Sequence, residues 1–208
     1  MSVTAHLQRI LVAEVEANRR AIESIRSALK QPAKLASEWA HGKPPAARAA
    51  EVMGHINSAR YEWLVRLEVL QKRPFVMWPT CGIDEVEREC VMLDGAWQRV
   101  LEAMDDAKLA MSVRYHSNEG TPWVSTVEEI VTHVLNHSTY HRGQISMLVQ
   151  AAGGERATTD FIGITRRSGM AGGSDGPGGP VETGNSGAGA IGGWPGFDAA
   201  GPGKSVTA

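Results

Sequence analysis

The sequence predicts an all-α protein: a four-helix bundle with a small β-hairpin inserted before its last helix and a disordered C-terminal tail. Three observations point there. Four long stretches repeat apolar residues at three- and four-residue spacing, the pattern of a helix with one buried face, and Pro and Gly separate them. One segment between the third and fourth stretches alternates with a period of two instead. From Ser168 onward Gly, Pro, Ala and Ser dominate. The 208 residues thus divide into a helical domain, 1–167, and a Gly/Pro-rich tail, 168–208. The domain has enough chain for a substantial core.

The first helix is expected over about residues 4–29. Leu7, Leu11, Asn18, Ile22, Ile25 and Leu29 share one face, with Arg9, Glu16, Arg19, Arg20 and Glu23 outside. Asn18 interrupts the apolar stripe, so it needs a polar partner, either across the helix interface or behind a metal site. Lys30 to Arg48 contain Pro32, Gly42, Pro44 and Pro45. This reads as a long crossover connection with one helical turn around Leu35 to Trp39. The second helix is expected from Ala46 to Lys72, with Val52, His55, Ile56, Ala59, Trp63, Leu67 and Leu70 inward. Glu62 lies two turns beyond His55 on the same stripe.

A loop follows from Arg73 to Asp84. Asp84 and Glu87 fit a capping box for a third helix running to about Asp106. Its inner face is Val86, Cys90, Leu93, Trp97, Val100, Leu101 and Met104. Between Leu109 and Val124, Met111, Val113 and Tyr115 alternate with polar residues. Ser117-Asn118-Glu119-Gly120 supplies a turn, and Pro122 interrupts the return strand. Ser125 or Thr126 then caps the last helix, with Glu128 and Glu129 in its first turn, and Gly153-Gly154 ends it. Glu155 to Arg167 forms a short extension. The tail beyond it has little to bury besides Trp194 and Phe197, and its glycine runs lack the strand context of a phosphate-binding loop.

The last helix carries His133, His137 and His141, four residues apart. Neighbours at that spacing lie on one face, about 6 Å apart along the axis, and can share a metal ion. All three cannot. His133 and His141 are separated by roughly 12 Å of rise, whereas a zinc–nitrogen bond spans only about 2 Å. The buried stripe Val127, Ile130, Val134, His137, His141, Ile145, Leu148 selects His137 and His141 and leaves His133 beside it. Inward-facing His55 on the second helix is the candidate third ligand. The plainer alternative is that these are hydrogen-bonded core histidines.

Composition narrows the function classes. A formal net charge of -2 gives no electrostatic case for nucleic acid. No apolar run is long enough to span a bilayer, and no signal peptide is visible at the start. Cys81 and Cys90 form neither a CxxC pair nor a disulfide framework and suit a cytoplasmic protein.

The chain from about Ala5 to Ile164 resembles the DinB-like family, the superfamily that includes mycothiol- and bacillithiol-dependent transferases. Asn136-His137-Ser138-Thr139-Tyr140-His141-Arg142-Gly143-Gln144 is similar to the family's NHxTxHRGQ signature. Gly54-His55-Ile56 with Trp63-Leu64, Asn18-Arg19-Arg20 and Asp160-Phe161-Ile162 also resemble family positions. The resemblance implies a four-helix bundle with a crossover connection, a homodimer, and a divalent metal held by His55, His137 and His141. It also implies thiol chemistry on a small-molecule substrate.

The combined expectation is a metal-dependent enzyme that activates a low-molecular-weight thiol or a water at an open three-histidine site, as a thiol transferase, isomerase or hydrolase. The ion is expected to be zinc or nickel. Glu62 is a candidate general base. Arg142 is a candidate for steering an anionic substrate, against the alternative of a salt bridge or dimer contact. The rival expectation is a non-catalytic metal-binding stress-response protein that acts through a partner.

Overall fold

The structure, a computed structural model, describes residues 2–32, 42–117 and 119–166. The helical turn expected around Leu35 to Trp39 and the tail from Ser168 fall outside them. The described chain is a four-helix bundle with a two-stranded hairpin ahead of its last long helix. The bundle consists of α1 (Val3–Leu29), α2 (Pro45–Arg66), α3 (Ile83–Glu102) and α5 (Val127–Ala151). The short helix α4 (Asp106–Leu109) and strands β1 (Ser112–His116) and β2 (Pro122–Thr126) lie between α3 and α5, and α6 (Phe161–Thr165) follows.

α1 packs on α3 and α5, and α2 on α3 and, most extensively, α5. Consecutive α1 and α2 also touch, though each packs more closely on α3 and α5; most of the connection expected to cross over between them lies outside the described residues. The antiparallel hairpin pairs Val113 with Ser125 and Tyr115 with Trp123. Pro122 begins β2, where a missing N–H costs least, and does not interrupt it. The second strand runs straight into α5: Thr126 is its last residue and the N-cap of the helix, in a capping box with Glu129.

Three helix boundaries differ from the sequence expectation, each for a local reason. α2 stops at Arg66, short of Lys72. Glu68 takes a left-handed φ of 58°, Glu68 N–H donates to Val65 O and Val69 N–H to Leu64 O. That is a Schellman stop built without glycine. The same pair of bonds, with Gly153 at φ 83°, ends α5. α3 is capped by Gly82, not by Asp84, because Asp84 and Glu87 both accept from Arg26 of α1 at 2.6 Å. It also ends at Glu102, short of Asp106. Asp105 caps α4 through Lys108 N–H, and Asp106 accepts from the backbone and hydroxyl of Thr4 at the start of α1. Leu29, expected inward, is exposed.

The bundle has two apolar ends and a polar waist. One end is built from Leu7, Leu11, Leu64, Trp97, Ile130 and their neighbours, the other from Ile22, Ile25, Met53, Ile56, Ile145 and theirs. Between them, each of the four helices turns a polar side chain inward. Glu14 and Asn18 come from α1, Arg60 from α2, Asp94 from α3 and Arg142 from α5. Arg142 Nη1 donates to Glu14 at 2.6 Å and to Asn18 Oδ1 at 2.9 Å, and Arg60 Nη2 donates to Asp94 at 2.5 Å. Asn18 is thus satisfied by a helix–helix bond.

Arg142→Met alone strands a buried carboxylate, and is expected to cost about 3–5 kcal/mol in denaturant unfolding. Adding Glu14→Leu should recover most of that loss. A single variant as stable as the parent would show that the pair does not hold α1 to α5.

Candidate metal centre

His55 enters the bundle from α2, and His137 and His141 from α5. The i, i+4 spacing stacks the last two on one face, and the close α2–α5 packing brings the first against them. Ring centroids lie 5.0 Å apart for His55–His137, 4.6 Å for His55–His141 and 4.4 Å for His137–His141. One nitrogen from each ring lies within 4.8 Å of the other two. Such a group could hold a metal ion, with the rings drawing together to reach bonds of about 2 Å.

Two of the rings are oriented by partners on Nδ1. His55 Nδ1 donates to Met77 O at 2.9 Å, since a carbonyl can only accept, and His141 Nδ1 pairs with Gln144 Oε1 at 2.9 Å. Each keeps its Nε2 lone pair for a ligand, the arrangement by which outer hydrogen bonds fix the tautomer of metal-binding histidines. His137 Nδ1 is buried with no hydrogen-bond partner among the described residues. An orphaned ring nitrogen beside two oriented imidazoles fits a site that takes a cation.

The surroundings keep the rings neutral. Burial pushes the His137 pKa down to about 4, helped by the charges His141, His55 and His133 would carry. Burial also lowers His55 and His141, Arg48 adds to this in both, and their Nδ1 partners oppose it. Neutral imidazole is the form that binds metal.

His133 stands on the exposed side of α5 against Trp63, 5.7 Å from the His137 ring, and is not a member of the group. Neither candidate catalytic residue is brought into it. Glu62 accepts from Arg66 at 2.9 Å, two turns along α2 from His55. Arg142 is 4 % exposed, and its two terminal nitrogens donate to Glu14, Asn18 and Thr139. The salt bridge weighed against substrate steering for Arg142 is thus present in the structure.

Two residues that sequence reasoning passed over line the site. The Trp78 indole lies flat on His55, 3.7 Å between centroids and 1° from parallel, and meets His141 edge-on at 6.0 Å. The Arg48 guanidinium sits 4.7 Å from the Trp78 ring centre. Trp78 belongs to an irregular loop, where no periodicity shows which way a side chain points. Its Pro79 neighbour packs on Gly54, where an added Cβ would meet Pro79 Cγ at 2.8 Å. Tyr140 is exposed and edge-on to His141 at 5.0 Å.

Fold and site together define a helical-bundle protein with a three-histidine group able to hold a metal ion. The chain belongs to the DinB family, which it matches over residues 1–169. Protein DinB of Bacillus subtilis (strain 168) is 49 % identical over 37 residues, a stretch that covers 18 % of this chain and 22 % of that protein. The chain thus spans about a fifth of this curated relative. No solved structure matches at a significant level.

Gly54→Ala should push Pro79 outward and loosen the Met77–Trp78 segment from His55. The expected result is metal affinity lower by about tenfold, the size of a lost outer-sphere contact, read by competition with a chelator. Acid should also destabilise the metal-free protein. With His137 depressed from 6.5 to about 4 in the fold, the unfolded chain takes up the proton first. Stability present above pH 6.5 is therefore lost as the pH falls toward 4. Denaturant midpoints across that window should fall more steeply for the parent than for His137→Leu.

Proposed function

We propose that the protein is a metal-dependent enzyme that activates a thiol or a water for transfer to a small electrophile. The observation that carries this reading is the convergence of His55, His137 and His141 as neutral imidazoles from two helices, with no carboxylate in the group. Three such ligands suit a divalent ion, zinc or nickel, and leave a position open, the mark of a catalytic rather than a structural site. A bound ion would supply Lewis acidity, favouring thiolate or hydroxide near neutral pH.

The chain's own contribution is placement. Met77 O and the Gln144 side chain hold the His55 and His141 rings with Nε2 free, and Trp78 covers one face of His55. Family membership supports thiol transfer or isomerisation, with a low-molecular-weight thiol as co-substrate. A homodimer and a cytoplasmic setting belong to the same reading.

Elemental analysis of purified protein should find about one divalent ion per chain. His55→Ala, His137→Ala and His141→Ala should each lose it, whereas His133→Ala should keep the stoichiometry. Loss in His133→Ala with retention in His55→Ala would sink the assignment. A screen of thiols with small electrophiles on the loaded protein then tests turnover. Full metal content without activity toward any thiol or ester would favour a binding role through a partner.

A further inference from the structure

Arg48 has no place in the ligand set, yet it is built into the site's rim. It lies seven residues before His55, two turns along the same face of α2. Trp78 links the two: one indole face lies on His55, and the Arg48 guanidinium packs on the same indole. Arg48 Nη1 donates to Glu51 at 2.9 Å, and Glu51 also accepts from Lys43. Lys43, Arg48 and Glu51 together keep a net positive charge. Among the described residues, Arg48 Nε and Nη2 have no hydrogen-bond partner. The guanidinium therefore offers donors in the fork that carboxylates bind side-on. The side chain is 18 % exposed and clamped between an aromatic ring and a buried carboxylate, so little rotamer freedom remains to be lost on binding.

We propose that Arg48 is the anion-binding residue of the histidine site, and that the molecule the site accepts is a small carboxylate whose reactive end points at the three histidines. This rests on the reading of the site as catalytic and adds the substrate class. Trp78 sets the direction: a flat acid paired with Arg48 would lie along the indole toward His141. The role resembles the one the sequence suggested for Arg142, moved to a cation that solvent can reach.

The probe is benzoate, with benzamide as its neutral counterpart, titrated calorimetrically into the full chain with and without zinc. A bound cation would itself attract benzoate, so the metal-free arm decides. Benzoate should bind about tenfold tighter than benzamide there, the size of one charge-assisted hydrogen-bonded pair. Arg48→Gln should erase that preference, and Arg48→Lys should keep part of it. Arg48→Lys retains the charge and carries the test if Arg48→Gln melts early. Equal binding of the two probes, no binding of benzoate, or a preference that survives Arg48→Gln overturns the proposal. The catalytic reading fails separately, on absent zinc binding or absent turnover, whatever benzoate does.

Discussion

The bundle depends on satisfying charge at its centre. Glu14 is 3 % exposed and Arg142 is 4 % exposed, so neither has water to fall back on. A lone buried charge costs several kcal/mol, which means α1 and α5 are held in the one register where the two meet. Asn18, one turn beyond Glu14, accepts from the same Arg142 nitrogen and donates to Glu14. Arg60 and Asp94 impose the same condition on α2 and α3. Apolar side chains tolerate sliding along a helix by a turn, whereas a guanidinium and a carboxylate do not. The apolar ends supply the driving force, and the waist selects the alignment.

That alignment places the histidines. Arg142 follows His141 directly, and its Nη2 donates to Thr139, between His137 and His141 in sequence. The face of α5 that docks on α1 through Arg142 thus fixes the rotation by which His137 and His141 turn toward α2. The hairpin contributes from the other end. Because β2 continues into α5 through the Thr126 capping box, and Val127 N–H donates to Met111 O, the start of α5 cannot rotate freely. A site that needs three nitrogens within a few ångströms is thereby built on helices locked at the waist and at the hairpin end.

Much of this was legible in the sequence, because burial on helices is periodic. The stripe of α5 predicts the inward pair and excludes His133, and the stripe of α2 supplies His55. The hairpin shows as a change of period from 3.6 to 2. What stayed hidden was tertiary competition for side chains. Asp84 and Glu87 look like a capping box until Arg26 takes both carboxylates. Asp106 looks like the end of α3 until it accepts from Thr4 at the start of α1. The stop at Glu68 has no glycine to announce it. Arg142 reads as an available cation within the histidine motif, and only the position of Glu14, 128 residues away, shows that it is engaged. Trp78 and Arg48 could not be placed, because one lies in an irregular loop and the other in a helix whose first turns are mostly alanine.

The same burial bears on where a thiol for this site would come from. Cys90 is 2 % exposed, and burial, reinforced by the neighbouring Asp94, pushes its thiol up to about 12. The opposing charge of Arg60 does not win, because Arg60 pairs with Asp94 at 2.5 Å and approaches Cys90 Sγ only at 3.7 Å. Cys81 is half-buried at the foot of α3, with Glu85 and Glu89 nearby, and is raised as well. Nucleophilic and metal-binding sulfur is thiolate, so burial works against the reactive form in both cysteines. Neither is part of the histidine group. In the thiol reaction proposed for His55, His137 and His141, the sulfur would come from solution. A carboxylate-bearing thiol would answer to both Arg48 and the histidines, whereas a neutral one would answer to the histidines alone.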